Sequence, residues 1–531
     1  MRPLTRELSL LLAVWLACSL VLTLVALRDL LAPGLYYDEA IFAGLAKDFV
    51  KGSAAGPHMP FTTIGSLFGR PFPWFVQNYF GGLKCWLLIP SFAIFGSSIA
   101  VLRLTTLFWS LIALLFFMLW TRKLLGLLAA LVAGPLLALD PSFFYLSVFD
   151  WGGVVPSFLC RASGFYFFLL WTQGRKWRDG LLAAALLGLG LFSKIDFAII
   201  LLGCGIALFI SYRQAVLAAL RSSRAQIVIC SLAFLLVACP MLISLSDILN
   251  EASASADRPG ALDEKLHTWE MMYDGSYFFR LIQVGGKFDW MFGNSATVWS
   301  PFGLAVIAAA AFLLVCALRA RGESSEGRLA WFLLLSLALI TLGVFLLPAA
   351  VRMHHSILVY PFPHLVIAMA VAMLWKMPVD GAMAKWGLRV SALAVLGVVL
   401  AGHLSALWQT QELIAVTGGR GWWSNAIEKF CNDVRDQPGQ SIVSLDWGFN
   451  EQLCFLTDDK KLSEPFWNGE PTLIDGAIYL VHPPEYTLIP TGLPLLGLAR
   501  QSPERGFSIR PYADKEGGVA FYAISYHAPK G

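Results

Sequence analysis

The feature that most constrains this chain is its series of long apolar runs, beginning with Leu8–Leu31. A stretch that long, without a small-residue cleavage site behind it, reads as an uncleaved first span and not as a signal-peptide core. Arg2 and Arg6 precede it, so the positive-inside rule puts the N-terminus in the cytoplasm and residue 32 onward outside. Hydrophobic residues make up 57% of the chain and charged ones only 14%. Soluble globular chains carry roughly 25% charged residues, so this is a polytopic membrane protein.

Further spans fall near 101–120, 124–140, 153–171, 180–193, 197–212, 226–246, 301–318, 329–348, 356–375 and 387–408, eleven with the first. The cations alternate with them: Arg122 and Lys123; Arg175, Lys176 and Arg178; Arg213, Arg221 and Arg224; Arg319, Arg321 and Arg328; Lys376, Lys385 and Arg389 all fall in cytoplasmic loops. The run Leu83–Gly96, interrupted by Pro90, is too short to cross and suits an interfacial or re-entrant helix. The pair 180–193 and 197–212 is short, and fits a tilted or half-buried hairpin as well as two crossings. The net charge of +4 is dispersed over these loops, which argues against nucleic acid as a partner.

The chain divides at about residue 408 into a membrane part, 1–408, and a soluble part, 409–531, outside by parity. In the soluble part, Trp422–Val434 has helical spacing, while Ser441–Leu445, Ala477–Val481, Phe507–Pro511 and Val519–Ser525 read as strands. The expectation is a small α/β domain. Of nine cysteines only Cys431 and Cys454 lie there; a disulfide is permitted but not indicated by spacing. No metal-binding, nucleotide-binding or dinucleotide signature is present.

Polar residues at the outer face carry what chemistry the sequence offers. Asp38-Glu39 opens a stretch with amphipathic spacing just beyond the first span. It serves equally as a helix start, at the positive end of the dipole, or as a general base whose pKa is tuned by partial burial. Asp140, before Pro141, reads as a helix stop, whereas Asp150, between Phe149 and Trp151, is harder to explain as a solvated charge. Lys84, Lys194 and Arg352 stand at span ends, with His354 and His355 following. Each cation is explained by snorkelling, pairing or an anionic ligand. Adjacent histidines lack the i, i+4 spacing of a helical metal site. The loop Ser246–Ser300 holds Trp269, Tyr273, Tyr277, Phe278, Trp290 and Trp299, an interfacial belt or a cover over a cleft.

An Asp-Glu pair just after the first span resembles the motif of the GT-C membrane glycosyltransferases, specifically glycosyltransferase family 39, with its protein O-mannosyltransferases and the lipid A aminoarabinose transferase. Tyr79-Phe80-Gly81-Gly82-Leu83-Lys84, then Pro90, Phe95-Gly96 and Arg103-Leu104, is similar to that family's run into its second span. Leu191-Phe192-Ser193-Lys194 is similar to its lysine loop, and Phe149-Asp150-Trp151-Gly152 stands in the place of its second acidic loop, without the Arg that better known members carry there. The likeness covers about the first 200 residues.

What the resemblance implies is a GT-C-like membrane domain with juxtamembrane helices, and an inverting transfer of sugar from a polyprenyl-phosphate donor to a glycan, lipid or protein acceptor at the outer face of a bacterial inner membrane. Asp38 would be the base, Glu39 its orienting partner, and Asp150 a sugar or acceptor contact. Tyr37, Lys84, Arg103, Lys194, Arg352, His354 and His355 would bind substrate, the cations at the lipid phosphate. No cofactor is certain, though a divalent cation is compatible. A transporter or flippase, or a non-catalytic assembly protein, fits the same span count; acids at the midplane would favour transport.

Overall fold

The fold is that of a computed structural model, which describes residues 3–248, 261–287, 291, 297–320, 324–347, 352–378, 380–467 and 472–528. Among these, nine helices are long and apolar enough to cross a membrane: Arg6–Arg28, Ile99–Leu125, Val154–Gly174, Phe197–Ser222, Arg224–Ile243, Phe302–Arg319, Ser325–Leu346, Met353–Lys376 and Ala382–Thr417. The pair Leu127–Ala138 and Pro141–Phe149, bent by 63°, makes a tenth when taken as one broken span. The protein is an integral membrane protein. The expected span at 180–193 lies in the 17-residue helix Trp177–Ser193, at the short end of the range for a crossing, and packs between Val154–Gly174 and Arg224–Ile243. Its companion at 197–212 is the first part of Phe197–Ser222, which kinks at Tyr212.

By its internal contacts the chain forms two compact units. The first comprises residues 1–25, 107–277 and 297–407, and the second 26–106, 278–296 and 408–531. The segment after the first span thus groups with the C-terminal part, which no pattern in the sequence announced.

In the first unit, helices close on one another where small residues replace large ones. Gly188, on Trp177–Ser193, would place an added Cβ 2.9 Å from the carbonyl oxygen of Phe234, so only glycine lets these backbones approach. The 63° bend follows from local chemistry. Pro141 lacks the N–H that would continue the first helix, and Asp140 restarts the chain as an N-cap, its Oδ1 accepting from the N–H groups of Ser142 (2.8 Å) and Phe143 (3.2 Å). Asp140 Oδ2 accepts from the Tyr360 hydroxyl at 2.9 Å and stands 3.3 Å from His364 Nε2. The aromatic loop residues turn inward: Trp269 lies against Tyr273 and Phe345, and Tyr273 against Phe302. Trp299 is exposed, and Trp290 lies outside the described residues.

The second unit opens on the 15-residue helix Tyr37–Lys51. Ala40, Ile41, Phe42, Leu45 and Ala46 are buried on it, Asp38 and Glu39 occupy its first turn, Lys51 its last, and Gly52 ends it in the left-handed conformation (φ 83°). The 13-residue helix Leu83–Phe95 packs against it, with Pro90 inside. Between them stands a small sheet of β1 (Thr63–Leu67), β2 (Arg70–Gln77) and β3 (Phe80–Gly81). Pro71 and Pro73 hide β2 from a sequence reading, because proline disfavours strands. Both lie in the half of β2 that pairs with β1 alone, and the hairpin turns through Phe68 and Gly69 at positive φ.

The C-terminal sheet runs β5-β4-β6-β8-β7, with β4 (Ser441–Ser444), β5 (Lys461–Ser463), β6 (Ile478–Val481), β7 (Phe507–Ala513) and β8 (Val519–Tyr526). β4 is parallel to β5 and β6, while β8 is antiparallel to β6 and β7. Period-two alternation sends Ile442, Leu480 and Phe521 to one face, under Ile427 and Phe430 of helix Ala426–Asp433. It sends Val443, Val481 and Ile524 to the other, against Leu496 and Ala499 of helix Leu493–Gln501. The expected α/β domain is present, with β5 added. Cys431 and Cys454 are both free thiols, so the permitted disulfide is not formed.

Candidate active site

The acidic pair of the second unit is two residues in two different situations. Asp38 is half-buried in the first turn of Tyr37–Lys51, while Glu39 is 1% exposed. Both Glu39 oxygens accept from Arg103, Oε1 from Nε at 2.9 Å and Oε2 from Nη2 at 3.0 Å. Arg103, fully buried, also donates to the carbonyls of Leu30, Pro33 and Gly34. A guanidinium so engaged is an anchor for the start of the helix. Gly34 belongs to the same anchor: its N–H donates to Trp423, and an added Cβ would stand 2.2 Å from the Ser424 carbonyl oxygen.

Tyr37 is buried with its ring 4.5 Å from that of Trp447. Burial first, then the carboxylates of Glu451, Glu464 and Asp38, push its phenol well above the ordinary value. Tyr36 stacks on Trp423 at 4.3 Å. Lys84, at the start of Leu83–Phe95, is 3% exposed and places its ammonium 4.6 Å from the centre of the Phe42 ring.

Two carboxyls nearby were not singled out by sequence reasoning. Glu428 is pushed up to about 7 by burial, against the opposing pull of Arg103. Glu464 is pushed up to about 8, again by burial first, while the Trp467 indole N–H donates to it at 2.5 Å. Nothing in their sequence surroundings distinguishes them from surface acids.

In the first unit, Asp150 is 1% exposed and its Oδ1 accepts from the N–H groups of Val154 (2.7 Å) and Val155 (3.0 Å), at the start of helix Val154–Gly174. Lys194, 2% exposed, pairs with Asp196 Oδ2 at 2.7 Å and stands 3.3 Å from both the His354 carbonyl and His355 Nδ1. His355 Nδ1 is in turn 3.2 Å from Asp196. Lys194, Asp196 and His355 therefore form one buried cluster. Asp196 was missed, although the spacing Lys194-Ile195-Asp196 in a tight interhelical turn was its available signal. His354 lies edge-on to Trp151 at 5.8 Å and fills the space beside Gly152, where an added Cβ would meet it at 2.8 Å. Arg352 is 3.6 Å from Glu264. Among the described residues, His354 and His355 take part in no cluster with metal-ligand geometry.

Residues 83–243 match the family model described as dolichyl-phosphate-mannose-protein mannosyltransferase. The chain is similar in structure to ArnT from Cupriavidus metallidurans, solved bound to undecaprenyl phosphate, at 12% identity and a TM-score of 0.54, covering 99% of both chains. It is also similar to the oligosaccharyltransferase of Archaeoglobus fulgidus: in its zinc and sulfate complex the identity is 15%, the TM-score 0.52, and the match covers 85% of this chain and 62% of that one. In the complex of that enzyme with an inhibitory peptide and a dolichol-phosphate the values are 14% and 0.50, over 85% and 64%. None of the curated proteins matches the chain by sequence. The chain is built on the GT-C fold of the membrane glycosyltransferases, as the motif order suggested.

Proposed function

We propose that this protein moves a sugar from a polyprenyl-phosphate donor onto an acceptor hydroxyl at the outer face of a bacterial inner membrane, with Asp38 as general base. The observation that carries the reading is the division of labour in Asp38-Glu39. Arg103 engages both oxygens of Glu39, and Asp38 is left half-buried in the first turn of the helix that this pair anchors. The GT-C fold supports the donor class. The similar ArnT structure holds undecaprenyl phosphate, and the similar archaeal enzyme a dolichol-phosphate.

The step is a single displacement. Asp38 takes the acceptor hydroxyl proton as its oxygen bonds to the anomeric carbon, the carbon–phosphate oxygen bond breaks, and the configuration inverts. The leaving group is the polyprenyl phosphate, whose developing charge calls for cations; Lys84, Lys194 and Arg352 are the assigned groups. Lys194 already holds an anion, the Asp196 carboxylate, and would exchange or share it for phosphate. Glu39 acts as a positioning residue through Arg103. Asp150, which caps its helix through one oxygen, is assigned to a sugar or acceptor contact, and Tyr37, His354 and His355 are assigned to substrate binding. The positive-inside pattern supports an outer position for Asp38 and, with Trp177–Ser193 crossing as the eleventh span, for the C-terminal domain.

The test is donor turnover in reconstituted membranes against a panel of radiolabelled polyprenyl-phosphate sugars, wild type beside Asp38→Asn. Transfer by wild type that is lost in the variant, at unchanged protein level, supports the reading. Full cellular function in Asp38→Asn overturns it in favour of transport or assembly.

A further inference from the structure

Away from Asp38, at the far end of the same helix, four side chains meet whose chemistry the transfer reaction does not use. His58 is 4% exposed at its side chain. Its Nε2 is 2.7 Å from Asp48 Oδ2, and its Nδ1 is 2.9 Å from Glu451 Oε2. The other Glu451 oxygen accepts from the Met59 N–H at 3.0 Å, which fixes the carboxylate plane. Cys454, one helical turn beyond Glu451, is buried, and its sulfur, His58 and Glu451 place one donor atom each within 4.8 Å of one another.

We infer that His58 Nδ1, Glu451 Oε2 and Cys454 Sγ form a binding site for one divalent transition-metal ion of the zinc class, with Asp48 orienting the histidine from behind. The donor set is nitrogen, oxygen and sulfur, the mixture that a borderline ion such as Zn²⁺ takes and that Mg²⁺ or Ca²⁺ does not. Metal–ligand bonds of 2.0–2.3 Å put tetrahedral donors roughly 3.5 Å apart, a separation that small side-chain movements reach here. A histidine ligand ordinarily donates its other N–H to a carboxylate, which fixes the tautomer; Asp48 on Nε2 stands in that place and leaves Nδ1 for the metal. Two glycines frame the cluster. A Cβ on Gly44 would stand 3.4 Å from His58 Cε1 and 3.8 Å from both Glu451 Oε2 and Cys454 Cβ, and one on Gly56 would stand 3.2 Å from the Cys454 sulfur.

Protons balance the step. The ion replaces one proton on His58 Nδ1 and one on the Cys454 thiol, both released to solvent, so the site's net charge is unchanged. The bound ion would tie His58, and through its bond to Asp48 the C-terminal half of helix Tyr37–Lys51, to the helix Asn450–Leu456. None of this depends on glycosyl transfer, so the two readings fail separately.

The experiment uses the detergent-purified full-length chain, stripped with chelator and titrated with Co²⁺. One bound cobalt per chain with a thiolate-to-cobalt charge-transfer band, the band lost in Cys454→Ser and the proton release halved, supports the site. Asp48→Asn is expected to weaken cobalt affinity about 10- to 100-fold. His58→Asn leaves two carboxylates without their partner and can misfold, so Cys454→Ser is the deciding variant. A folded wild-type protein that takes up no cobalt, or cobalt binding whose spectrum is the same in Cys454→Ser, overturns the proposal and leaves the cluster as a histidine clamped between carboxylates.

Discussion

Glu39 and Arg103 face one another as a bidentate pair, at 2.9 and 3.0 Å, with side-chain exposures of 1% and 0%. Removing one member strands the other as a buried charge, which costs on the order of 3–5 kcal/mol. Glu39→Ala and Arg103→Ala are each expected to lower the apparent Tm sharply in detergent, and Arg103→Lys to recover little, because an ammonium cannot reproduce the fork that also reaches Leu30, Pro33 and Gly34. A Tm within a degree or two of wild type for Glu39→Ala would remove the anchoring role.

Asp38 is expected to behave in the opposite way. Half-buried and outside the Glu39–Arg103 pair, it should tolerate Asp38→Asn with little change in Tm, while turnover falls about 100-fold or more, as loss of a general base does. Measuring both on one preparation separates the two acids; equal loss of stability in Asp38→Asn would make it structural.

Glu428 gives a pH dependence with a definite sign. Its carboxyl is raised from 4.5 to about 7, chiefly by burial, so the folded state holds its proton more tightly than the unfolded chain does. Its contribution is fully favourable below pH 4.5 and is lost as pH rises through 7, where the buried charge must form. Glu428→Gln removes that loss. It should be more stable than wild type at pH 8, by on the order of 1–3 kcal/mol, and nearly equal to it at pH 4.5. Thermal unfolding at the two pH values decides it, and an advantage at acid pH instead would refute the sign.

Asp140 caps Pro141–Phe149 through one oxygen and takes the Tyr360 hydroxyl through the other. Asp140→Ala loses the cap and the hydrogen bond from the buried Tyr360 hydroxyl, about 2–4 kcal/mol in all. Asp140→Asn keeps a capping oxygen and should fall between. Folded yield and Tm of the two variants check the order; indistinguishable variants would mean that the cap contributes nothing.

The membrane character was legible because the lipid interior demands long apolar helices, and runs such as Leu8–Leu31 have no other stable use. The C-terminal strands were legible through alternation. β2 was hidden by its prolines, and Glu428 and Glu464 look like any surface acid in one dimension.

At the site, the sequence by itself determined which residues carry charge near span ends: Asp38, Glu39, Lys84, Asp150, Lys194 and Arg352. Only the tertiary structure decided what each charge faces. Glu39 lies 64 residues from Arg103, and His58 lies 393 from Glu451. Whether a carboxylate is an anchor, a metal ligand or a base depends on its partner and its burial. Both arise from packing between segments remote in the chain, whereas apolar runs and alternation are local and written in order.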